Sequence, residues 1–509
     1  MKNFILSCAL VNATLICFAG LFFNSTSAIA GMNSSSRTDS SPQVAQPNVD
    51  CSNLPQVNPN KTFIGNFGNS CYMTPLTISN GAANSGDLNA RYYNVYYQVN
   101  PGYELVLTGA YPNARFFSVE VYDSHSVSVA ALLDSQIVPL NSSFSDPFAP
   151  GASYVAGQQY GIRIGLGGVP PQTPSPGCST AGSNLDSNFA DASQIHQGLT
   201  WSSYSPLPDG FPTHQTGLSS GGSIMVRYYA PFGTQTVPAV IVRDLSTGCA
   251  VPLAQVSGLS VVTTNKTTGP AWANSSQVSA HNSYAGTIQP QECYPKDPGN
   301  GAQWLRAADY VPGYDTFASY LSVSVSASSV STIVNSQEFI RIQFHIPTYP
   351  NTPCAMGGGC AITGNEQVRY RSITFASGTT SLASIKDSDM VVNPGGYVTL
   401  IIGMGTQPPA NVTAANYYTY FDLSTVPNYQ TLTNIQLRDI LPNTNFQCSS
   451  FNVPYKTTEY NPNGGYMGDY VPTVDYPTTA KLPTIPNPPV RADTCSIVPT
   501  QPPTTCPAS

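Results

Sequence analysis

One strand-rich stretch occurs twice in the chain, and this repetition limits the fold more than any other feature. Residues 114–138 read ARFFSVEVYDSHSVSVAALLDSQIV, and residues 368–392 read VRYRSITFASGTTSLASIKDSDMVV. Both stretches are rich in β-branched and aromatic residues and reach an aspartate followed by a turn, which is typical of short strands. The repetition predicts two related domains rather than a solenoid, because two units are too few for one.

The match between the two halves extends beyond these lines in the same order. It includes the segments 111–113 with 349–351, 160–167 with 397–405, and 224–227 with 435–438. The second copy carries an insertion at residues 352–367, which contains Cys354 and Cys360. Four ordered matches support an internal duplication.

Strand patterns dominate both halves, whereas helical periodicity is scarce. Runs such as RYYNVYYQV, YELVLTG and EFIRIQFHI are short and are bounded by Gly, Pro, Asn or Ser. The predicted fold is therefore all-β, with two related β-sandwich domains at residues 61–245 and 308–472.

The segments outside the two domains differ in composition. They are predicted to be a signal peptide (1–30), a flexible N-terminal arm (31–60), an irregular linker (246–307) and an extended Pro/Thr-rich C-terminal tail (473–509).

The first thirty residues have the three parts of a signal peptide. Lys2 supplies the positive end, residues 4–23 are mostly apolar, and Ala28-Ile29-Ala30 forms a small-residue cleavage site. Asn12 and Thr14 interrupt the apolar run, which argues against a membrane anchor. No later segment is apolar and long enough to span a bilayer. We therefore expect a mature protein without a transmembrane segment that is secreted, periplasmic or bound to the cell surface.

Cysteine usage agrees with export. Of twelve cysteines, Cys8 and Cys17 lie in the predicted signal peptide, and the remaining ten are an even number, as expected for disulfides. The sequence alone leaves most of the connectivity open. The residues assigned to disulfides are the local pairs Cys354–Cys360 and Cys495–Cys506, a bridge across the linker between Cys249 and Cys293, and Cys51 and Cys71.

The charge composition excludes some partners. The chain has 19 Lys and Arg residues against 26 Asp and Glu residues, a net charge of −7, and no basic run. Nucleic-acid binding requires a basic face that neutralises phosphates, so we exclude it. No motif predicts a cofactor.

Motifs that resemble catalytic or metal sites have simpler structural explanations. Gly217–Gly221 reads GLSSG, but the nucleophile elbow needs a preceding strand and a following helix, whereas a strand follows here. Ser219 is therefore predicted to lie in a turn. The five histidines have no metal-ligand spacing, and His345 is predicted to lie within a strand.

Two aspartates, Asp387 and Asp389, resemble a carboxylate pair for calcium. The first copy conserves only one of them, as Asp134, so an aspartate that bonds the local turn backbone is the simpler interpretation. Metal binding at this pair is kept as an alternative.

Two arginines recur together with these aspartates. Arg115 and Asp134 of the first copy correspond to Arg369 and Asp387 of the second. A buried arginine must be paired, so we predict that Arg115 contacts Asp134 and that Arg369 contacts Asp387.

The tyrosines are the main candidates for ligand binding, because the chain has 30 tyrosines and only three tryptophans. Tyr92 and Tyr96 share one face of a predicted strand. With Tyr417 and Tyr418, they are candidates for stacking on a sugar ring or anchoring a protein partner.

The second half carries the phrases VRYRSITF, DSDMVVNPGGYVTLIIG, NIQLRDILPN and YMGDYVP, and the first half carries LTGAYPNARFFSVEVYD. These phrases resemble a family of exported bacterial proteins of unknown function over most of residues 61–472. The resemblance implies a tandem β-sandwich and no established activity. The chain departs from the family at Arg371, where an aromatic residue is usual, and at ANYYTYFDL, which replaces a segment that contains tryptophan.

Together these features favour an exported, non-enzymatic binding module for a glycan or an extracellular protein. One alternative is a secreted hydrolase with its site in the cleft between the domains. A second is a structural subunit that assembles by adding a strand to a neighbour. The sequence leaves the ligand and the oligomeric state open.

Overall fold

The structure of the chain is a computed structural model. The described residues are 71–72, 74–76, 86–98, 102–123, 128–152, 154–164, 189–190, 221–251, 260–262, 304–306, 317–325, 339–355, 359–378, 380–405, 408–443, 445–453, 458–459, 467–486 and 495. The predicted signal peptide and N-terminal arm lie outside them.

The first half of the chain forms the strands that build two sheets. They are β1 (Cys71–Tyr72), β2 (Thr74–Leu76), β3 (Ala90–Gln98), β4 (Tyr103–Ala110), β5 (Phe116–Asp123), β6 (Ser128–Leu133), β7 (Gln159–Ile164), β8 (Phe189–Ala190), β9 (Gly221–Tyr229), β10 (Ala239–Asp244), β11 (Ala250–Val251) and β12 (Ser260–Val262).

The second half forms the strands of two further sheets and a small hairpin. They are β13 (Trp304–Arg306), β14 (Ala318–Ser324), β15 (Ile340–His345), β16 (Asn351–Ala355), β17 (Gly359–Ala361), β18 (Val368–Ser377), β19 (Thr380–Lys386), β20 (Tyr397–Gly403), β21 (Thr419–Asp422), β22 (Asn434–Pro442), β23 (Thr458–Glu459) and β24 (Thr473–Asp475). The prediction of an all-β protein is confirmed.

Two sheets form the first sandwich. Sheet 1 has the order β1-β10-β4-β7-β8, with β11 beside β10, and sheet 2 has the order β12-β3-β9-β5-β6, with β2 beside β3. Leu105 and Leu107 of β4 and Val119 and Val121 of β5 are fully buried in one shared core. Successive side chains of a strand point to opposite faces, so alternate positions fill this core.

The second sandwich is built in the same way. Sheet 3 has the order β19-β18-β22-β14-β13-β23, and sheet 4 has the order β21-β20-β15-β24. Ile340 and Ile342 of β15 meet Ile373 and Phe375 of β18 in its core. Apart from Asn351, the hairpin β16–β17 falls within the segment that was predicted to be an insertion.

The two sandwiches share the order of four strands in each of two sheets, which agrees with the predicted internal duplication without proving it. The order β3-β9-β5-β6 of sheet 2 corresponds to β14-β22-β18-β19 of sheet 3, and the order β10-β4-β7-β8 of sheet 1 corresponds to β24-β15-β20-β21 of sheet 4. In both copies the edge strand, β8 or β21, pairs in parallel with its neighbour. The matched segments 224–227 and 435–438 lie on the corresponding strands β9 and β22.

Sheets 2 and 3 face each other, so the molecule has four layers. Phe116 of sheet 2 lies 5.9 Å from Phe317, and Tyr229 lies 5.5 Å from Tyr370, measured between ring centroids. Aromatic side chains on the outer faces of both sheets therefore join the two sandwiches into one apolar cluster.

The second sandwich includes strands on both sides of the predicted range 308–472. The strand β13 precedes this range and pairs with β14, and β24 follows it and pairs with β15. The strand β12, within the predicted linker 246–307, pairs with β3 of the first sandwich.

The helical elements of the described residues are 3-10 turns of three residues, such as Asp134–Gln136 and Asp387–Asp389. Within the same residues, no helix combines the length and the hydropathy that a membrane crossing requires.

Candidate functional site

The two halves exchange ion pairs where the sandwiches meet. Arg115 Nη1 contacts Asp387 Oδ1, and Arg369 Nη2 donates to Asp134 Oδ2 at 2.6 Å. All four side chains are 0% exposed. Each arginine therefore neutralises the aspartate of the other copy.

This arrangement corrects the predicted pairs, Arg115 with Asp134 and Arg369 with Asp387. Each aspartate bonds the backbone of its own copy, since Phe117 N donates to Asp134 at 3.2 Å. In the same way, Arg371 N donates to Asp387 at 2.8 Å. The turn is thus tied to its own strand through a backbone amide, and the arginine that neutralises the carboxylate comes from the other sandwich.

Further contacts surround the exchanged pairs. Arg369 Nε and Nη2 donate to the carbonyl oxygen of Arg115 at 3.2 and 3.0 Å. The guanidinium of Arg115 lies 4.9 Å from the ring centroid of Tyr349, and that of Arg369 lies 5.8 Å from that of Phe148. Cation–π attraction strengthens when water is excluded, so these rings help to hold the buried charges.

Asp87 makes a second polar contact between the sandwiches. Its carboxylate accepts from the Tyr370 hydroxyl at 2.7 Å and the Ser372 hydroxyl at 2.5 Å, and lies 3.1 Å from Arg438 Nη1. Asp87 and Ser372 are 0% exposed, and Arg438 is 1% exposed. This site was missed in the sequence.

The corresponding arginine of the first copy is neutralised differently. Arg227 matches Arg438 in the repeat, but its Nη1 donates to Glu120 of its own sandwich at 2.7 Å. The repeated arginine signals that a carboxylate must be near in each copy, but it does not indicate which carboxylate.

Burial has the largest effect on the pKa values of the exchanged pairs. It raises the pKa of Asp134 to about 6, although Arg369 and the N–H groups of Phe117 and Ser135 act to lower it. It also raises the pKa of Asp387 and lowers that of Arg369. The charges are therefore held in place by one another, since a low-dielectric environment disfavours each of them alone.

Asp146 lies close to these charges in a loop that touches the second sandwich. Gly151 N, five residues later, donates to the carbonyl of Ile362 at 2.8 Å. Asp146 Oδ1 accepts from Phe148 N at 2.8 Å. Burial raises the pKa of Asp146 to about 7, the Phe148 N–H lowers it, and the negative charge of Asp134 raises it further.

The raised pKa of Asp146 predicts an unusual pH dependence of stability. A carboxyl group with a higher pKa in the folded state contributes stability that is present below about pH 4 and lost as the pH rises to about 7. Substituting Asp146→Asn should remove this loss. We expect the stability of the variant minus that of the wild type to rise by about 4 kcal/mol between pH 4 and 8 in urea unfolding. A difference that falls over this range would contradict the prediction.

The four candidate tyrosines have different environments. Tyr92 is 9% exposed, and its hydroxyl accepts from Asp87 N at 2.8 Å. Tyr418 is 2% exposed, whereas Tyr417 is partly exposed, with a left-handed φ of 61°. The side chain of Tyr96 lies outside the described residues. Tyr417 is thus the described candidate that is accessible to a ligand.

The two candidate calcium ligands have separate partners. Asp387 is fully buried against Arg115, and Asp389 accepts from Lys386 Nζ at 2.8 Å near the surface. No group of three or more His, Cys, Asp or Glu side chains in the described ranges is arranged to hold a metal ion.

His345 lies on β15, as predicted, and its ring packs edge-to-face against Tyr397 at 5.0 Å and Tyr470 at 4.8 Å. Ser219 lies outside the described residues. The strand predicted to follow its motif is present as β9, Gly221–Tyr229.

A disulfide joins Cys448 to Cys495, with 5.4 Å between their Cα atoms. This corrects the predicted pair Cys495–Cys506. The physical reason is that the segment after β24 packs on the second sandwich through Leu482, and Cys495 lies close to a residue 47 positions earlier.

The other predicted disulfides are only partly described. Cys354 on β16 and Cys360 on β17 lie on paired antiparallel strands, and Cys249 is disulfide-bonded. The described residues exclude the side chains of Cys51, Cys71, Cys293, Cys354, Cys360 and Cys506.

Comparisons with known proteins find solved structures of bacterial proteins that are similar to this chain, two of which are given below. No family model matches the chain, and no curated protein matches it. The first structure is of an uncharacterised protein from Burkholderia cenocepacia, at 12% identity and a TM-score of 0.40, covering 81% of this chain and 82% of that one. The second is of the VPA0106 protein from Vibrio parahaemolyticus, at 10% identity and a TM-score of 0.33, covering 77% of this chain and 90% of that one.

Proposed function

We propose that this chain is an exported, non-enzymatic β-sandwich protein that binds a glycan or a protein outside the cell or at its surface. The observation that carries the proposal is the exchange of ion pairs between the sandwiches. Arg115, Asp134, Arg369 and Asp387 are all fully buried and neutralise one another. A hydrolase with its site at this junction would need acids, bases or nucleophiles that reach a bound substrate.

Tyr417 is the residue that we propose for ligand contact. It follows the 3-10 turn Ala414–Asn416, in which Ala414 and Ala415 are exposed. An accessible aromatic ring beside small side chains allows a sugar ring or an apolar protein group to stack on it.

The proposal is tested by applying the chain from residue 31 onward to a glycan array and to immobilised extracellular proteins. We expect retention on at least one ligand class to fall about tenfold with Tyr417→Ala, because loss of an aromatic anchor removes a large part of the contact energy. Alanine at position 417 must adopt the same left-handed backbone conformation as tyrosine, so the comparison of the variant with the wild type isolates the effect of the ring. Tyr476→Ala is the matched control, since Tyr476 is 39% exposed on the same sandwich.

The hydrolase alternative is tested with the same preparation of the chain from residue 31 onward. Turnover of model esters or glycosides that is abolished in a folded Ser219→Ala variant would overturn the proposal. If the Tyr417→Ala and Tyr476→Ala variants lost retention equally, the role of Tyr417 in ligand contact would be refuted. The proposal that the protein binds a ligand would not be refuted by that result.

A further inference from the structure

One segment of the loop between β6 and β7 touches both sandwiches. We call residues 145–151 the latch. At its start, Gln158 Nε2 of the first sandwich donates to the Ser145 carbonyl at 2.6 Å. At its end, Gly151 N donates to the Ile362 carbonyl of the second sandwich at 2.8 Å. The latch is thus a contact between the sandwiches that is distinct from the exchanged ion pairs.

Apolar packing holds the middle of the latch in place. Phe148 and Ile362 are both buried and belong to the same apolar cluster. The ring of Pro150 packs closely on Gly364, where a Cβ atom would lie only 3.1 Å from Pro150 Cγ. Separation of the latch from residues 362–366 would therefore expose apolar side chains that are now shielded from water.

Asp146, the acidic residue of the latch, is partly buried and takes part in no ion pair with the residues that the structure describes. Its Oδ1 accepts a hydrogen bond from Phe148 N at 2.8 Å. Arg369 is the cation whose charge acts on it, but this arginine is paired with Asp134 at 2.6 Å. Tyr111 also faces Asp146, and burial raises the pKa of its hydroxyl, which therefore stays neutral. An ionised Asp146 is thus poorly compensated and is repelled by Asp134.

The remaining charged groups at this place do not supply the missing cation. Glu366 approaches Arg369 from the second sandwich, and its carboxylate accepts from two backbone N–H groups at 2.7 and 2.9 Å. Arg115 is the other arginine near Arg369, and it is paired with Asp387. Among these described groups, four carboxylates share two arginines, and Asp146 is the one with neither an arginine partner nor a second amide donor. It is therefore the carboxylate that is most easily kept protonated.

The proton of Asp146 and the closed latch stabilise each other. In the closed latch, burial raises the pKa of Asp146 to about 7, whereas an aspartate in water has a pKa of about 4. The closed latch therefore binds the proton more tightly than an open one, so closure is favoured most below about pH 4 and becomes less favourable as the pH rises to about 7. Between these values, each pH unit raises the ratio of open to closed latches by up to about tenfold.

We infer that the latch is a pH-sensitive contact between the two sandwiches, which is closed while Asp146 carries a proton and opens when Asp146 ionises. Opening exposes Phe148 and residues 362–366 to solvent. The ion pair of Arg369 and Asp134 does not include the latch, so the sandwiches stay joined. The inference concerns the regulation of this junction and does not depend on the ligand proposed above.

The test is hydrogen exchange of the full chain between pH 5 and 9, measured by mass spectrometry. After division by the intrinsic exchange rate at each pH, exchange of residues 145–151 should rise about 80-fold between pH 5 and 8 and then level off. It levels off because Asp146 is by then ionised in the closed latch as well. The strand β7 follows the same loop, and its exchange should rise less than about threefold, because the opening is local. A rise below about tenfold over residues 145–151, or an equal rise in β7, would overturn the inference.

Two aspartate substitutions supply a matched comparison. Asp146→Asn keeps the size of the side chain and cannot ionise, so exchange of residues 145–151 should rise less than about threefold over the same pH range. Asp389→Asn removes an exposed carboxylate that pairs with Lys386, and it should leave the wild-type rise unchanged. If Asp146→Asn retained the wild-type rise, ionisation of Asp146 would not open the latch and the inference would be wrong.

A measurement on the wild type covers the case in which Asp146→Asn does not fold. Exchange of residues 145–151 should change less than about twofold between pH 8 and 9, once the intrinsic rate has been divided out. A corrected rise of about tenfold over this last pH unit would show that another group controls the opening, and would also overturn the inference.

Discussion

Replacing Arg115 by methionine is expected to lower the free energy of unfolding by about 3–5 kcal/mol, because Asp387 is then left as an uncompensated buried charge. The loss should be recovered in large part by the double variant Arg115→Met with Asp387→Leu, since an apolar pair of similar volume replaces both charges. The measurement is a double-mutant cycle in chemical denaturation.

The cycle also tests the exchange itself. The coupling energy of Arg115 with Asp387 should exceed that of Arg115 with Asp134 by at least about 1 kcal/mol. The exposed pair of Lys386 and Asp389 is the control, and Lys386→Met should cost less than about 1 kcal/mol. A larger coupling energy between Arg115 and Asp134 would contradict the exchange and would support pairing within one copy instead.

The substitution Asp87→Ala is expected to destabilise the protein by about 3–5 kcal/mol. It leaves the guanidinium of Arg438 without this carboxylate and deprives the hydroxyls of Tyr370 and Ser372 of their common acceptor, all within a buried interface. The loss should appear as a lower midpoint of urea unfolding at an unchanged slope.

Graded variants separate the charge from the hydroxyl groups. Tyr370→Phe and Ser372→Ala each remove one neutral donor and should cost about 0.5–1.5 kcal/mol. If Asp87→Ala proved no more harmful than these two, the ionic contact with Arg438 would not stabilise the interface.

The all-β architecture was accessible from the sequence because strand patterning is local. The alternation of apolar residues in YELVLTG and EFIRIQFHI is set by which face of each strand is buried, and β4 and β15 are the corresponding strands. The inserted hairpin was accessible for the same reason, because a gap in the repeat marks residues that the shared fold does not need.

The partner of each arginine was not accessible in this way. Arg115 and Asp387 are 272 residues apart, and Arg369 and Asp134 are 235 residues apart. Both possible pairings place the same residue types together, and only the orientation of sheet 2 on sheet 3 distinguishes them. The repeat shows that the charges must be compensated, whereas tertiary packing decides by which residue.

The contacts of the C-terminal segment were not accessible for a related reason. Its proline and threonine content indicates a chain without secondary structure, and residues 473–509 were accordingly assigned to an extended tail. However, three residues of it form β24, because Thr473, Val474 and Asp475 align with β15. Composition averages over a segment and does not detect a short edge strand that is held by a neighbour.

The exchanged ion pairs have a consequence for biosynthesis. When the first sandwich leaves the ribosome, its Arg115 and Asp134 are complete, but Asp387 and Arg369 have not yet been made. At about 5–20 residues per second, the 272 residues between Arg115 and Asp387 take roughly 14–54 s to synthesise. During this interval the nascent first half carries unmatched charges on the surface that later becomes the interface, where water and chaperones still have access. We therefore expect the first half to reach its final stability only after the second half has been translated.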